Sequence, residues 1–167
     1  MERVKKGGLF LLLFLIWTLQ ESPVIAEIET LFSPGGSIKE SLQKEMESTT
    51  STLDLAIHEI TSLEMAQILV KAKQRVVKVR VIADSKQANI RTSKITYLIQ
   101  QGILVKVLGG KEKGVMNHRF MILDGKRVLT GSFDWSEASL KWNYENILIL
   151  YESEVVASYQ KEFDRLW

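Results

Sequence analysis

The sequence predicts an α/β domain built on a mixed, largely parallel β-sheet flanked by helices. Three observations point there. Between Ile28 and Leu108, strand-like and amphipathic helical segments take turns, at the spacing that produces βαβ units with helices laid on a parallel sheet. The second half carries Asp124-Gly125 between two apolar runs, a strong short-range signal for an antiparallel hairpin. The stretch from Glu27 to Trp167 is one domain's worth of chain by the usual range of about 100–200 residues, enough for a core without staples.

The elements follow in order. Ile28 to Phe32 alternates apolar and polar residues as a short strand does, and Ser33-Pro34-Gly35-Gly36 breaks it. Ile38, Leu42, Glu45 and Met46 mark one face of a helix, with Ser37 placed to cap it. Leu53 to Ile60 reads as a strand, and after Ser62 a helical run sets Met65, Ile68, Leu69 and Ala72 on one face. Val76 to Ala83 alternates Val77, Val79 and Val81 against Lys78 and Arg80, and Asp84 closes it. A single helix is expected from Ser85 to Gln101, then a strand from Ile103 to Leu108. Gly109-Gly110-Lys111-Glu112-Lys113-Gly114 is a charged, glycine-rich loop. Phe120 to Leu123 and Arg127 to Leu129 form the hairpin, Ile147 to Tyr151 a further strand, and Ser153 to Trp167 a closing helix.

Composition narrows the function classes. The chain has no cysteine, so a thiolate zinc site is excluded, and its two histidines are a poor basis for any other metal site. No metal and no cofactor are expected. Lys and Arg number 22 against 20 Asp and Glu, a net charge of +2, whereas proteins that coat nucleic acid are strongly basic. An anionic substrate must therefore be held by a local patch.

The N-terminus reads as an export signal over residues 1–26, followed by the domain 27–167. Arg3, Lys5 and Lys6 form its basic region, and Val24-Ile25-Ala26 places a small residue at the cleavage point. The apolar run Leu9 to Leu19 falls short of the roughly 20 residues of a membrane span. The product is then periplasmic or secreted; an uncleaved anchor, which would hold the domain at the membrane, is the alternative.

The most informative stretch is Asn117 to Trp135, N-H-R-F-M-I-L-D-G-K-R-V-L-T-G-S-F-D-W. It resembles the H-x-K-x4-D…G-S-x-[ND]-W signature of the phospholipase D superfamily, with Asn117 in the histidine place, Arg119 in the lysine place and Asp124 in the aspartate place. Gly131 and Ser132 match the G-S pair, and Asp134 stands where a typical member has Asn. Glu145-Asn146 matches the downstream N-x-E-N element. Leu31-Phe32-Ser33-Pro34 and the strands around Leu55 and Val79 look like single-motif bacterial endonucleases of this superfamily. The resemblance implies the phospholipase D-like fold and a metal-independent phosphodiesterase in which a histidine attacks phosphorus, a second protonates the leaving oxygen and lysines neutralise the phosphate. It also implies a homodimer, because one motif supplies one half-site.

Elementary chemistry then divides the reading. A carboxamide has no basic nitrogen lone pair, so Asn117 neither attacks phosphorus usefully nor moves a proton at neutral pH. Arg119, two residues on along a strand, shares its face and offers a bidentate fork for phosphate oxygens. Ser132 has a proton to donate to phosphate, Asp124 and Glu145 can orient a neighbour, and the Asp134 carboxylate repels a phosphodiester unless an arginine offsets it. His118 is the one nearby substitute nucleophile; it turns inward only if the strand bulges, and otherwise faces the opposite side. His58 reads as a half-buried strand histidine, and Asp84, at a strand end where ligands approach α/β sheets, as the cap of the next helix. Lys111, Lys113 and Lys126, with Lys106 and Arg127, form either a polyanion-steering patch or an ordinary solvated rim. Trp135 is expected to pack on the sheet, Trp142 in a core or interface, and Tyr97 and Leu98 in the core or a dimer surface.

Two functions from different classes remain. One is an exported phosphodiesterase of the endonuclease type, its hydrolysis weakened or lost at Asn117. The other is a non-catalytic phosphate cradle that binds nucleic acid or anionic phospholipid.

Overall fold

The computed structural model describes residues 28–35, 38–75 and 77–167. The export signal, the Ser37 cap and Val76 lie outside the described residues. The elements are β1 (Ile28–Ser33), α1 (Ile38–Ser48), β2 (Thr52–Ile57), α2 (Leu63–Gln74), β3 (Lys78–Asp84), α3 (Ser85–Ala88) and α4 (Ile95–Gln100). Then come β4 (Leu104–Leu108), β5 (Arg119–Leu123), β6 (Arg127–Gly131), α5 (Glu137–Lys141), β7 (Glu145–Leu150) and α6 (Ser153–Leu166). One sheet runs β1-β7-β6-β5-β2-β3-β4. The expected mixed sheet is present. Its parallel part is confined to β2-β3-β4, a smaller share than the alternating pattern implied, and the other ladders are antiparallel.

The period-two alternation of the strands builds two cores. On one face Leu53, Leu55, Ile57, Val79, Val81, Met121 and Leu129 pack against α1, α2 and α4. On the other Ala56, Ile82, Phe120, Ile122 and Val128 pack against Val156 and Phe163 of α6. A strand buried on both faces reads as a nearly continuous apolar run. That is what β2 and β5 show. Leu98 is in the first core and Tyr97 packs partly against it. Among the described residues no helix is long and apolar enough to cross a membrane.

The single helix expected over 85–101 is two. Asp84 caps α3 through Lys86 N and Gln87 N. The short polar side chains that follow compete for the backbone: Asn89 Nδ2 donates to Ser85 O at 2.7 Å, and Ser93 Oγ accepts from Ile95 N at 3.3 Å. Lys94 N is drawn to Ile60 O, which turns the chain into α4.

The Asp124-Gly125 turn joins β5 to β6 with positive φ at both residues, 54° and 61°, as a type I′ turn demands, and Lys126 N closes it on Leu123 O. Asp124 also fastens this turn to the start of β2, accepting from the backbone N–H groups of Thr50, Ser51 and Thr52 and from two hydroxyls. Burial pushes its carboxyl up, but those N–H donors outweigh burial and hold it well below the ordinary aspartate value. A depressed folded pKa gives stability that is present above the unfolded value, near 3.9, and is lost as pH falls toward the folded one. Asp124→Asn, which tolerates the same φ, is expected to lose about 1–3 kcal/mol at pH 7. The gap from the parent should close as urea unfolding is repeated from pH 5 down to pH 2.

Candidate active site

β5 starts at Arg119, opposite Ile57 of β2, so Asn117 and His118 stand just ahead of the ladder, at the end of the sheet where β2 and β3 finish. Arg119 reaches back: Nη1 donates to Asn117 Oδ1 at 3.0 Å and to Asn117 O at 3.3 Å. Nη2 pairs with Asp134 Oδ2 at 2.8 Å. Nε is buried with no partner among the described residues. Asp134 also accepts from Glu59 N at 3.2 Å, which ties the end of β2 to the segment after β6. Arg119 thus links Asn117 to Asp134, and its charge is met by an internal carboxylate.

A second cluster adjoins it. Ser132 Oγ donates to Glu145 Oε2 at 2.5 Å and accepts from Asn146 N at 3.1 Å. Glu145 Oε1 accepts from Ser139 Oγ and from Asn143 Nδ2. The only proton of Ser132 is therefore spent on Glu145 rather than offered to a ligand. The glycine before it has a steric reason: a Cβ on Gly131 would lie 2.0 Å from Asn146 O, so β6 and β7 approach this closely only without a side chain there.

The structure separates several residues that the sequence grouped. Asp124 sits at the far end of β5, roughly 17 Å from Arg119 at about 3.4 Å per residue, and fixes the hairpin rather than the site. Lys126 and Arg127 share that far end, and Arg127 is bound to Glu45 and Ser48 of α1. Lys126 thus lies at the other end of β5 from Asn117 and Arg119; nearness in sequence is reversed by the direction of the hairpin. Lys111, in the loop before β5, lines the same cleft as Asn117, and in that loop Lys113 O accepts from Lys86 Nζ. Lys106 on β4 donates to Trp167 O.

His118 does not turn inward. The strand is not bulged, and the imidazole lies on the α6 face, edge-on to Phe120 and 3.3 Å from Glu162 Oε1. It thus points away from Arg119, toward Glu162 of α6. Trp135 is buried and bridged to Ile60, as expected. Trp142 is not core: it is 69% exposed, beside Tyr144 at 92%.

A cleft of about 640 Å³ opens beside Asn117 on the α6 side, lined by Gly110, Lys111, Val115, Asn117, His118 and Arg165. Arg165 and Glu162 were not legible as site residues. They read as an ordinary i, i+3 pair on a solvated helix face, and only the packing of α6 brings them here. Arg165 bonds hold the Glu162 carboxyl low, at about 2, with His118 assisting. Among the described residues no group of three or more acidic or histidine side chains is placed to hold a metal ion.

The family model described as cardiolipin synthase, PLD-like domain, matches residues 42–167. The mitochondrial cardiolipin hydrolase of Chlamydomonas reinhardtii is 36% identical over 120 residues, covering 72% of this chain and 53% of that protein. The one from Xenopus laevis is 38% identical over 116 residues, covering 70% and 54%. The chain spans about half the length of the curated relatives it matches. Among solved structures, Nuc from Salmonella typhimurium, a phospholipase D family member, aligns with a TM-score of 0.78 at 22% identity, covering 85% of this chain and 94% of that one. NucT from Helicobacter pylori aligns with a TM-score of 0.75 at 25% identity, covering 84% and 95%.

Proposed function

The chain belongs to the phospholipase D-like family, and on that premise we propose that it binds phosphodiesters while its own hydrolysis is weak or lost. The chain of contacts from Asn117 through Arg119 to Asp134 carries this reading. In the histidine place stands a side chain that can neither attack phosphorus nor shuttle a proton. Arg119, the cation that would meet the phosphate, already has its charge offset by Asp134 at 2.8 Å. The fold, the G-S pair and Glu145 are otherwise kept, so the scaffold of a phosphodiester site remains around a disarmed centre. The reading includes a homodimer with the two half-sites facing across its axis, and export directed by residues 1–26.

Nucleic acid is the first ligand, from the small size and single motif shared with bacterial endonucleases of the superfamily. A second reading, anionic phospholipid, is favoured by the cardiolipin hydrolases at 36% and 38% identity. The expected result is no turnover of bis(p-nitrophenyl) phosphate or plasmid DNA above blank in EDTA. Binding of a fluorescein-labelled single-stranded DNA should persist and weaken steeply with salt, as backbone contacts require. Retention on cardiolipin-containing vesicles without DNA binding would select the phospholipid reading. Turnover in the parent that His118→Ala abolishes would overturn the proposal, because it would return His118 to the chemistry.

A further inference from the structure

Two groups that the site does not use converge on one residue. Asp84, at the end of β3, is fully buried. Its Oδ1 caps α3, and its Oδ2 accepts from Met116 N at 2.9 Å. His58, just beyond β2, places Nδ1 3.2 Å from Met116 O. The Met116 side chain is itself buried in the core beneath α6. We propose that Asp84 and His58 are positioning residues that clamp both backbone groups of Met116, and so fix where the next residue, Asn117, stands.

The need for such a clamp follows from the ladder. β5 enters the sheet only at Arg119, so residues 116–118 lack the strand pairing that fixes Arg119 against Ile57. Ahead of them the loop doubles back on itself through Gly110 N to Gly114 O and the Gly109–Val115 bridge. The Met116 carbonyl lies in the same rigid plane as the Asn117 N–H. Holding that carbonyl from His58 and the Met116 N–H from Asp84 sets the orientation of the peptide on either side of the Met116 Cα. A carbonyl only accepts, so in this bond the His58 Nδ1 must carry a proton and donate it. Burial raises the Asp84 carboxyl, but the Gln87, Met116 and Lys86 N–H groups outweigh it, so the acceptor stays ionised and its bond to Met116 is charge-assisted.

The assignment rests on Asn117 as the central position of the site, but its first test does not need activity. In ¹⁵N NMR of the parent, His58 should show a protonated Nδ1. The Met116 amide should exchange with solvent among the slowest loop amides. His58→Asn, which keeps an N–H near the Nδ1 position, should preserve the slow Met116 exchange, and His58→Ala should speed it at Met116 and Asn117 while the sheet amides hold. The Nε2–H tautomer, or fast Met116 exchange in the parent, overturns the clamp. The second test uses Asn117→His/Arg119→Lys/Asp134→Asn. There His58→Ala should lower kcat about tenfold with KM unchanged, and His58→Asn should restore it. An active triple variant indifferent to His58→Ala also overturns the clamp. A silent triple variant counts against the proposed function instead, and the NMR signatures then decide the clamp alone.

Discussion

Asn117→His/Arg119→Lys/Asp134→Asn is expected to turn a silent chain into a measurable phosphodiesterase. Removing the nucleophile of a concerted constellation typically costs on the order of a million-fold in kcat, so replacing it can return several orders of magnitude. The order of single contributions is the sharper part. Asn117→His alone should give the largest single gain but fall short of the triple, because Arg119 would still be paired to Asp134 at 2.8 Å. Asp134→Asn frees that charge for a phosphate oxygen; without a nucleophile it should produce tighter phosphate binding and no turnover. Arg119→Lys exchanges a planar fork for a point charge, which suits a single transferring phosphate and no longer bridges Asn117 to Asp134. The assay is bis(p-nitrophenyl) phosphate hydrolysis in EDTA, with phosphohistidine trapping at position 117. A triple variant that is folded and dimeric yet silent would mean that more than these three positions has been lost.

The fold was legible because local and tertiary signals agree over most of the chain. Alternation in β3, the apolar faces of α1 and α2, and Asp124-Gly125 each specify one structure by period or turn chemistry alone. Partnering was not legible. That β1 pairs with β7 and that β2 joins β5 are long-range choices, and no local pattern records them. The helix over 85–101 failed for a different reason: Asn89 and Ser93 hold backbone groups by side-chain bonds that periodicity does not weigh. The site divides the same way. Asn117 and Arg119 are joined by a side-chain bond ahead of the ladder, whereas Lys126 lies at the other end of β5 because a hairpin carries its turn away from where the strand began. His58 and Asp84 read singly as a half-buried histidine and a helix cap. Both readings hold, but their shared grip on Met116 exists only once β2, β3 and the loop before β5 are brought together.

Arg80→Met should cost about 3–5 kcal/mol, a large part of the roughly 5–15 kcal/mol that holds a domain folded. Asp54 is only 3% exposed, on the α6 face of β2, and receives a bidentate fork from Arg80 at 2.7 and 2.6 Å. The guanidinium also lies over the Phe163 ring at 4.8 Å and the Trp167 ring at 5.3 Å, and reaches Asp164 at 3.0 Å. Without Arg80, the carboxylate keeps only Gln160 Nε2, a neutral donor that does not offset a buried charge. The cost is that of an uncompensated charge, not of a missing contact. Asp54→Val/Arg80→Met should therefore recover most of the loss in urea unfolding, with a coupling energy of about 2 kcal/mol or more in the double-mutant cycle. The same variants bear on the cleft. Gln160, Phe163 and Asp164 dock α6 on the sheet through this cluster, and α6 carries Arg165 to the wall beside Asn117 and Glu162 to His118. If the cluster anchors that helix, Arg80→Met should loosen Glu162 from His118, seen as a shift in the His118 ring resonances before global unfolding begins. Unchanged His118 resonances in a destabilised Arg80→Met chain would show that α6 is held by its apolar core alone.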